Sequence, residues 1–420
     1  MRHIFLSFLA FSLLVSAVFG LGFFLSANAA SPAEEVYRDW KTKFVTASGA
    51  GAGELRVWQP DKNGITVSEG QGYGMLLAVF AGDRPVLDGL WKYAKRYRDS
   101  RGLMHWKIAA DGIVTGENAA TDGDEDIAYA LLRATQEWGD TYRQDALQYM
   151  GAIWMHEVEA GTYVLKPGDV WGGSDAFNPS YCAPAFYREF AKFTGNRDWL
   201  KVSDKCFEII EKARHPITGL IPEWTTAEGR PTLRVTHNAN KDNFSYNAIR
   251  VPWRMAMDWE WSGDQRARAI TQLMTQFFAG QKSLKSGYML EGTPLVSYFD
   301  TTFAAGIAAG AKASSFGEFA KTMTERLWAP PSSSYYGATL RALGIFFLSG
   351  IFRPFEAVIA PLAPAPAPPP PPSAITSKAE DLSPPPPPPV TPPPPVAPPP
   401  PLPAVVSTEE DVSPVPATAG

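Results

Sequence analysis

Two acidic segments hold the residue types that can do chemistry. The first reads Val67-Ser68-Glu69-Gly70-Gln71-Gly72-Tyr73-Gly74. A carboxylate beside glycines lets a substrate ring come close. Partial burial against Tyr73 would raise its pKa and keep it protonated, as a general acid requires. The plainer reading is a helix start, with Ser68 as cap and Glu69 in the first turn. The glycines tip the balance towards function, because they weaken a helix for no visible structural gain. The second segment reads Ala120-Thr121-Asp122-Gly123-Asp124-Glu125-Asp126. Asp122 and Glu125 have capping-box spacing, yet four acids in five residues exceed what a cap needs. The calcium-loop pattern of an EF-hand is absent.

A third group is aromatic: Trp106, Trp171, Tyr181, Trp224, Tyr246 and Trp253. Most of the 13 tryptophans should be core. Those set among Gly, Asn, Ser and Pro, as in Val170-Trp171-Gly172-Gly173 and Phe177-Asn178-Pro179-Ser180-Tyr181, suit a cleft wall whose flat faces stack on sugar rings. Crowded carboxylates can hold sugar hydroxyls or stabilise an oxocarbenium ion. Phosphate loops, dinucleotide fingerprints and Gly-x-Ser-x-Gly elbows do not occur. Two cysteines and five scattered histidines show no metal-ligand spacing. An acid pair with aromatic platforms is what glycoside hydrolysis needs, and it needs no cofactor or metal.

The elements that must position these residues are helical. Ile127, Ala130, Leu131, Ala134 and Trp138 recur on one helical stripe. Similar periodicity marks residues 71–81, 86–98, 142–157, 183–193, 199–213, 246–261, 265–279, 300–313, 316–327 and 336–349. Only 162–165 and 233–236 read as short ribbons. Polar and aromatic clusters precede helices near 69, 122, 178, 247 and 300. Helical hairpins repeating at that stride, with their leading loops on one side, would build a toroid with a polar cleft.

The ends differ from the body. Residues 4–25 are apolar after Met1-Arg2-His3, and Ala27-x-Ala29 offers a cleavage site, so residues 1–30 read as an export signal rather than a retained anchor. The body is therefore expected outside the cytoplasm, periplasmic or secreted. Of 39 prolines, 25 lie in residues 361–420, and residues 354–420 read as a solvated low-complexity tail. The net charge is −5, and most of it comes from the tail acids. A near-neutral body without a basic block excludes nucleic acid as a partner. A neutral polymer suits it better, and a monomer is expected. Cys182 and Cys206 read either as two buried thiols or as one bridge.

The run at residues 120–138, ATDGDEDIAYALLRATQEW, resembles the signature of glycoside hydrolase family 8. Segments 68–75, 177–181 and 244–253 are similar to its acid-bearing and cleft-lining motifs. The resemblance covers residues 33–350 and implies an all-α (α/α)6 barrel over 31–353, an inverting mechanism and a β-1,4-glucan substrate. It implies Glu69 as general acid and Asp122 as the carboxylate gripping the sugar. Substrate contacts are expected from Tyr73, Trp106, Asp124, Asn178, Tyr181, Tyr246, Asn247 and Arg250. The size, the export signal and the lack of a carbohydrate-binding module resemble the member encoded with bacterial cellulose synthase, which would make that machinery a partner.

The pattern departs in one place. Where cellulases of the family carry an Asp as general base, this chain reads Tyr246-Asn247-Ala248-Ile249-Arg250. Asp242, Asp258 or Asp300 then becomes the expected base. The alternatives are a branch with altered base and substrate, such as a chitosanase, or an impaired hydrolase that binds glucan.

Overall fold

A computed structural model describes residues 31–328 and 334–354. The expected export signal and nearly all of the proline-rich tail lie outside the described residues. Among the described residues twelve α-helices run in chain order: α1 Pro32–Phe44, α2 Ser68–Phe80, α3 Arg84–Arg96, α4 Thr121–Trp138, α5 Arg143–His156, α6 Pro184–Thr194, α7 Trp199–Ala213, α8 Arg250–Ser262, α9 Gln265–Ala279, α10 Thr301–Ala313, α11 Gly317–Trp328 and α12 Tyr335–Leu348. The even-numbered helices form a ring, each packed on the next, with α12 returning to α2. Helices α3, α5, α7, α9 and α11 each pack outside the inner helix before them, and α1 packs on α12 to complete the sixth pair. This is an (α/α)6 barrel.

Composition sorts the two rings. Outer α3 buries one face through Val86, Leu87, Leu90, Trp91 and Ala94 and leaves Lys92 in water. Inner helices are enclosed all round. In α4 every residue from Thr121 to Thr135 is buried, so the stripe at Ile127, Ala130, Leu131 and Ala134 is one face of a helix covered on all of them. Periodicity reports a single face; the ring supplies the others.

The glycines of α2 have a structural reason that the sequence did not reveal. A Cβ on Gly72 would lie 2.7 Å from the Gly123 carbonyl oxygen, and one on Gly123 would lie 2.6 Å from the Glu69 amide nitrogen. Gly70 lies against the Tyr335 hydroxyl and Gly74 against Val57. Gly72 and Gly123 let α2 and α4 touch backbone to backbone, which fixes the separation of the acids at their ends.

Two small ladders accompany the barrel. β1 Val45–Thr46 pairs with β2 Arg56–Val57, and β3 Thr66–Val67, β4 His105–Ile108 and β5 Val114–Ala119 form an antiparallel sheet in that order. β3 runs straight into α2 and β5 into α4, so this sheet anchors both acidic segments. The strands escaped the sequence reading because they are short and carry Gly, Glu and Asn, with their register set by partners rather than propensity. The expected ribbons at 162–165 and 233–236 are not strands; Leu165 makes only an isolated bridge to Val158. Cys182 and Cys206 form a disulfide with their Cα atoms 5.9 Å apart. It ties the segment after Tyr181 to α7.

Substitution separates the two kinds of glycine. Gly123→Ala should cost about 1–3 kcal/mol through overpacking and lower turnover by displacing Glu69. Gly151→Ala, on α5 with open space around it, should leave the melting temperature unchanged or raised. Thermal melts and turnover on the two variants check this.

Candidate active site

The ends of the inner helices meet on one guanidinium. Arg250 lies in the first turn of α8 with its side chain 1% exposed. Its Nη1 donates to Glu69 at 2.8 Å and to Asp122 at 2.7 Å, with the Tyr73 hydroxyl at 3.3 Å. Its Nη2 donates to Ser180 Oγ at 2.8 Å and to Asn247 Oδ1 at 2.9 Å. Glu69 leads α2, Asp122 leads α4, and Ser180 precedes α6. The other two inner helices join through Tyr246: its ring packs edge-on against Phe303 of α10, and its carbonyl accepts from the Tyr336 hydroxyl of α12, 2.8 Å away. One turn deeper, Arg254 donates twice to Asp126, both bonds 2.8 Å. Removing one partner of such a buried pair costs about 3–5 kcal/mol.

Glu69 is the acid with residual access, its side chain 21% exposed. Its pKa is pushed up to about 7. Burial is the main cause; Arg250 opposes it, Asp122 and Asp126 add to it, and Arg254 opposes more weakly. Asp122 is more enclosed and differently held: Oδ1 accepts the Gly123 N–H at 2.9 Å while Oδ2 meets Arg250. Asn178 accepts from the Ser180 N–H and Oγ–H at 3.0 and 2.7 Å, which turns that hydroxyl oxygen towards Arg250. The Tyr181 ring lies 5.4 Å from the guanidinium carbon. Trp224 packs edge-on against both Tyr181 and Trp171, giving an aromatic wall beside the acids.

Other expected contacts fall elsewhere. Asp124 is fully buried, bonded to Tyr149 and the Met104 N–H, with burial driving its pKa up to about 8. It faces α5 rather than a cleft. Glu125 is no cap; it is fully buried and accepts from the Tyr187 hydroxyl, and α4 starts without a side-chain cap. Tyr73 and Trp253 are core, packed edge to face beneath Glu69. Trp106 lies on β4 against Gly116, in the sheet leading into α2 and α4. Of the expected bases, Asp242 is exposed and paired with Lys241, and Asp258 is locked to Arg188 two turns along α8. Asp300 spends Oδ1 on the Thr302 N–H and hydroxyl as the cap of α10.

Sequence reasoning missed Glu223. It is 3% exposed and accepts from the Asn247 N–H at 2.8 Å, from Asn247 Nδ2 at 3.2 Å and from Asn238 Nδ2 at 2.6 Å. Burial raises its pKa against those three donors and Arg250. The available signal was an acid in Pro222-Glu223-Trp224, next to one of the candidate aromatics.

Residues 12–350 match the Glycosyl hydrolases family 8 profile. The chain belongs to this family. It is 42% identical over 329 residues to Endoglucanase 2 of Ruminiclostridium josui, a match spanning 75% of this chain and 70% of that protein. Endoglucanase A of Acetivibrio thermocellus is 40% identical over 331 residues, spanning 75% and 68%. The apo structure of a beta-1,3-1,4-glucanase from Paenibacillus sp. X4 superposes with a TM-score of 0.72 at 28% identity, covering 77% of this chain and 92% of that one.

A family 8 hydrolase with this site should show a distinctive pH response. Glu69 is held neutral in the fold, so its contribution to stability is full below its unfolded pKa and is lost as pH rises through about 7. Acid-dependent turnover should fall over the same range. In melts from pH 4 to 9, wild type should lose stability relative to Glu69→Gln progressively from about pH 4.5 and level off above pH 7, and kcat/KM should show its basic limb near pH 7.

Proposed function

We propose that the chain is an endo-acting β-1,4-glucanase that hydrolyses cellulose-type glucan with inversion. One observation carries the reading: Glu69 is a carboxyl kept protonated near neutral pH, at the accessible end of a site backed by aromatic rings. Such a group donates its proton to the departing glycosidic oxygen. Asp122, anchored by Arg250 and the Gly123 N–H, supplies fixed negative charge for the developing oxocarbenium ion and grips a sugar hydroxyl. Trp171 and Tyr181, half-buried and backed by Trp224, offer flat faces for neighbouring sugar units. The two relatives named endoglucanases support a glucan substrate.

Chitosan, a cationic polymer, would need unbalanced acids in the cleft. Asp124 and Asp126 are enclosed and Asp122 is matched by Arg250. A neutral glucan fits this charge pattern better. Export to the periplasm or beyond is part of the same proposal, supported by the apolar leader and the disulfide. A role beside a bacterial cellulose synthase rests on size and leader alone.

Viscosity, reducing-end release and proton NMR of the first product test the reading on carboxymethylcellulose, with chitosan as comparison. Carboxymethylcellulose should lose viscosity faster than reducing ends accumulate, and the newly formed end should be the α-anomer. Glu69→Gln should lose about 10²–10⁴-fold in turnover while still binding glucan. Binding without turnover in wild type would leave an impaired hydrolase, and a β-anomer would shift the second carboxyl role to Asp122.

A further inference from the structure

An inverting hydrolysis needs a second carboxylate, set far enough from the acid to admit the attacking water. Asp122 is too near. It and Glu69 share one nitrogen of Arg250 at 2.7 and 2.8 Å, so their oxygens lie within about 5.5 Å, against roughly 6.5–9.5 Å for an inverting pair. The other end of the guanidinium reaches further. Two hydrogen bonds of 2.8 and 2.9 Å and the width of Arg250 separate Glu69 from Asn247 Oδ1, a limit of about 8 Å that leaves room for the roughly 6.5 Å an attacking water needs. Asn247 is an amide and takes no proton. The carboxylate behind it does.

We infer that Glu223 is the general base of this enzyme, taking the proton of a water that Asn247 holds against the anomeric carbon. The inference rests on the glycosidase reading above and names a residue it lacked. Glu223 grips Asn247 twice, through the backbone N–H and the side-chain amide, and Asn238 fills a third acceptor position. An ionised carboxylate offers about four, which leaves one for water. All three partners are donors, which favour the ionised form a base needs before reaction, against the burial that raises its pKa. With Nδ2 on Glu223 and Oδ1 on Arg250, the Asn247 amide is fixed in orientation at both ends.

The step balances without a co-reactant. The water oxygen bonds to the anomeric carbon as that carbon's bond to the glycosidic oxygen breaks. Glu69 gives its proton to the departing oxygen, and Glu223 receives one from the water. The asparagine has its own reason. An aspartate at 247 would put a second carboxylate against Glu223, and two carboxylates sharing a site do not both ionise readily.

The test uses the full chain on carboxymethylcellulose and a soluble cello-oligosaccharide. Glu223→Gln and Glu223→Ala should each lose about 10²–10⁴-fold in kcat with KM little changed. Sodium azide should restore turnover in Glu223→Ala and yield the α-glycosyl azide, because an anion on the water side needs no base. Adding Asn247→Asp to Glu223→Gln should return activity by moving the carboxylate to position 247. Glu223 variants within a few-fold of wild type, beside an inactive Glu69→Gln, would overturn the inference and spare the glycosidase reading. Loss of activity that neither azide nor Asn247→Asp relieves would reduce Glu223 to a brace for Asn247. An active Glu69→Gln would instead sink the reading on which the inference stands.

Discussion

One buried cation organises this protein. Arg250 has almost no contact with water, yet its guanidinium collects Glu69, Asp122, Ser180 and Asn247 from the leading ends of four inner helices. A buried guanidinium is tolerable only if its charge is met and its N–H groups are bonded. Asp122 meets the charge, and Arg254 with Asp126 forms a second balanced pair one turn below. Glu69 is thus left over as a third carboxyl among two matched pairs. Ionising it would add an unbalanced negative charge in a dry setting, which is why burial keeps it protonated near neutral pH. Burial makes the acid, and the charge of Arg250, which would oppose it, is matched by Asp122.

How much of this was legible depended on range along the chain. The helical body, the leading polar clusters and the Glu69 and Asp122 segments could all be read locally, because periodicity and residue type are local properties. The purpose of Gly72 could not. Its glycine is required by the backbone of Gly123, 51 positions away in sequence and in touch only once α2 and α4 are packed. Asp124 misled for a similar reason. It shares a segment with Asp122, but two residues along a helix turn the side chain about 200° round the axis, from the Arg250 site towards Tyr149. Trp253, grouped with the candidate aromatics, went to the core, as most tryptophans were expected to. Type and spacing nominate residues; the face of the helix decides between them.

Glu223 illustrates the opposite failure. It stands 24 residues from Asn247, in a stretch without regular secondary structure that periodicity could not interpret. The asparagine looked like a lost base because the sequence displays only the position where a carboxylate is missing. In the fold the pair makes one hydrogen-bonded unit, a buried carboxyl on one member and an orienting amide on the other. The amide contributes what a carboxylate cannot, a donor to Glu223 and an acceptor for Arg250 at the same time.

The barrel itself sharpens the division between the two acids. Glu69 and Asp122 both sit in the first turn of an inner helix, where the helix dipole favours negative charge. The difference is in short-range hydrogen bonding. Asp122 receives a backbone N–H as well as Arg250, so two donors hold its carboxylate. Among the described residues, Glu69 receives a side-chain hydrogen bond from Arg250 alone, and it shares that nitrogen with Asp122. Burial therefore prevails at Glu69. Closeness of α2 and α4, set by Gly72 and Gly123, forces the sharing and thereby couples the spacing of two helix backbones to the protonation state of the proton donor.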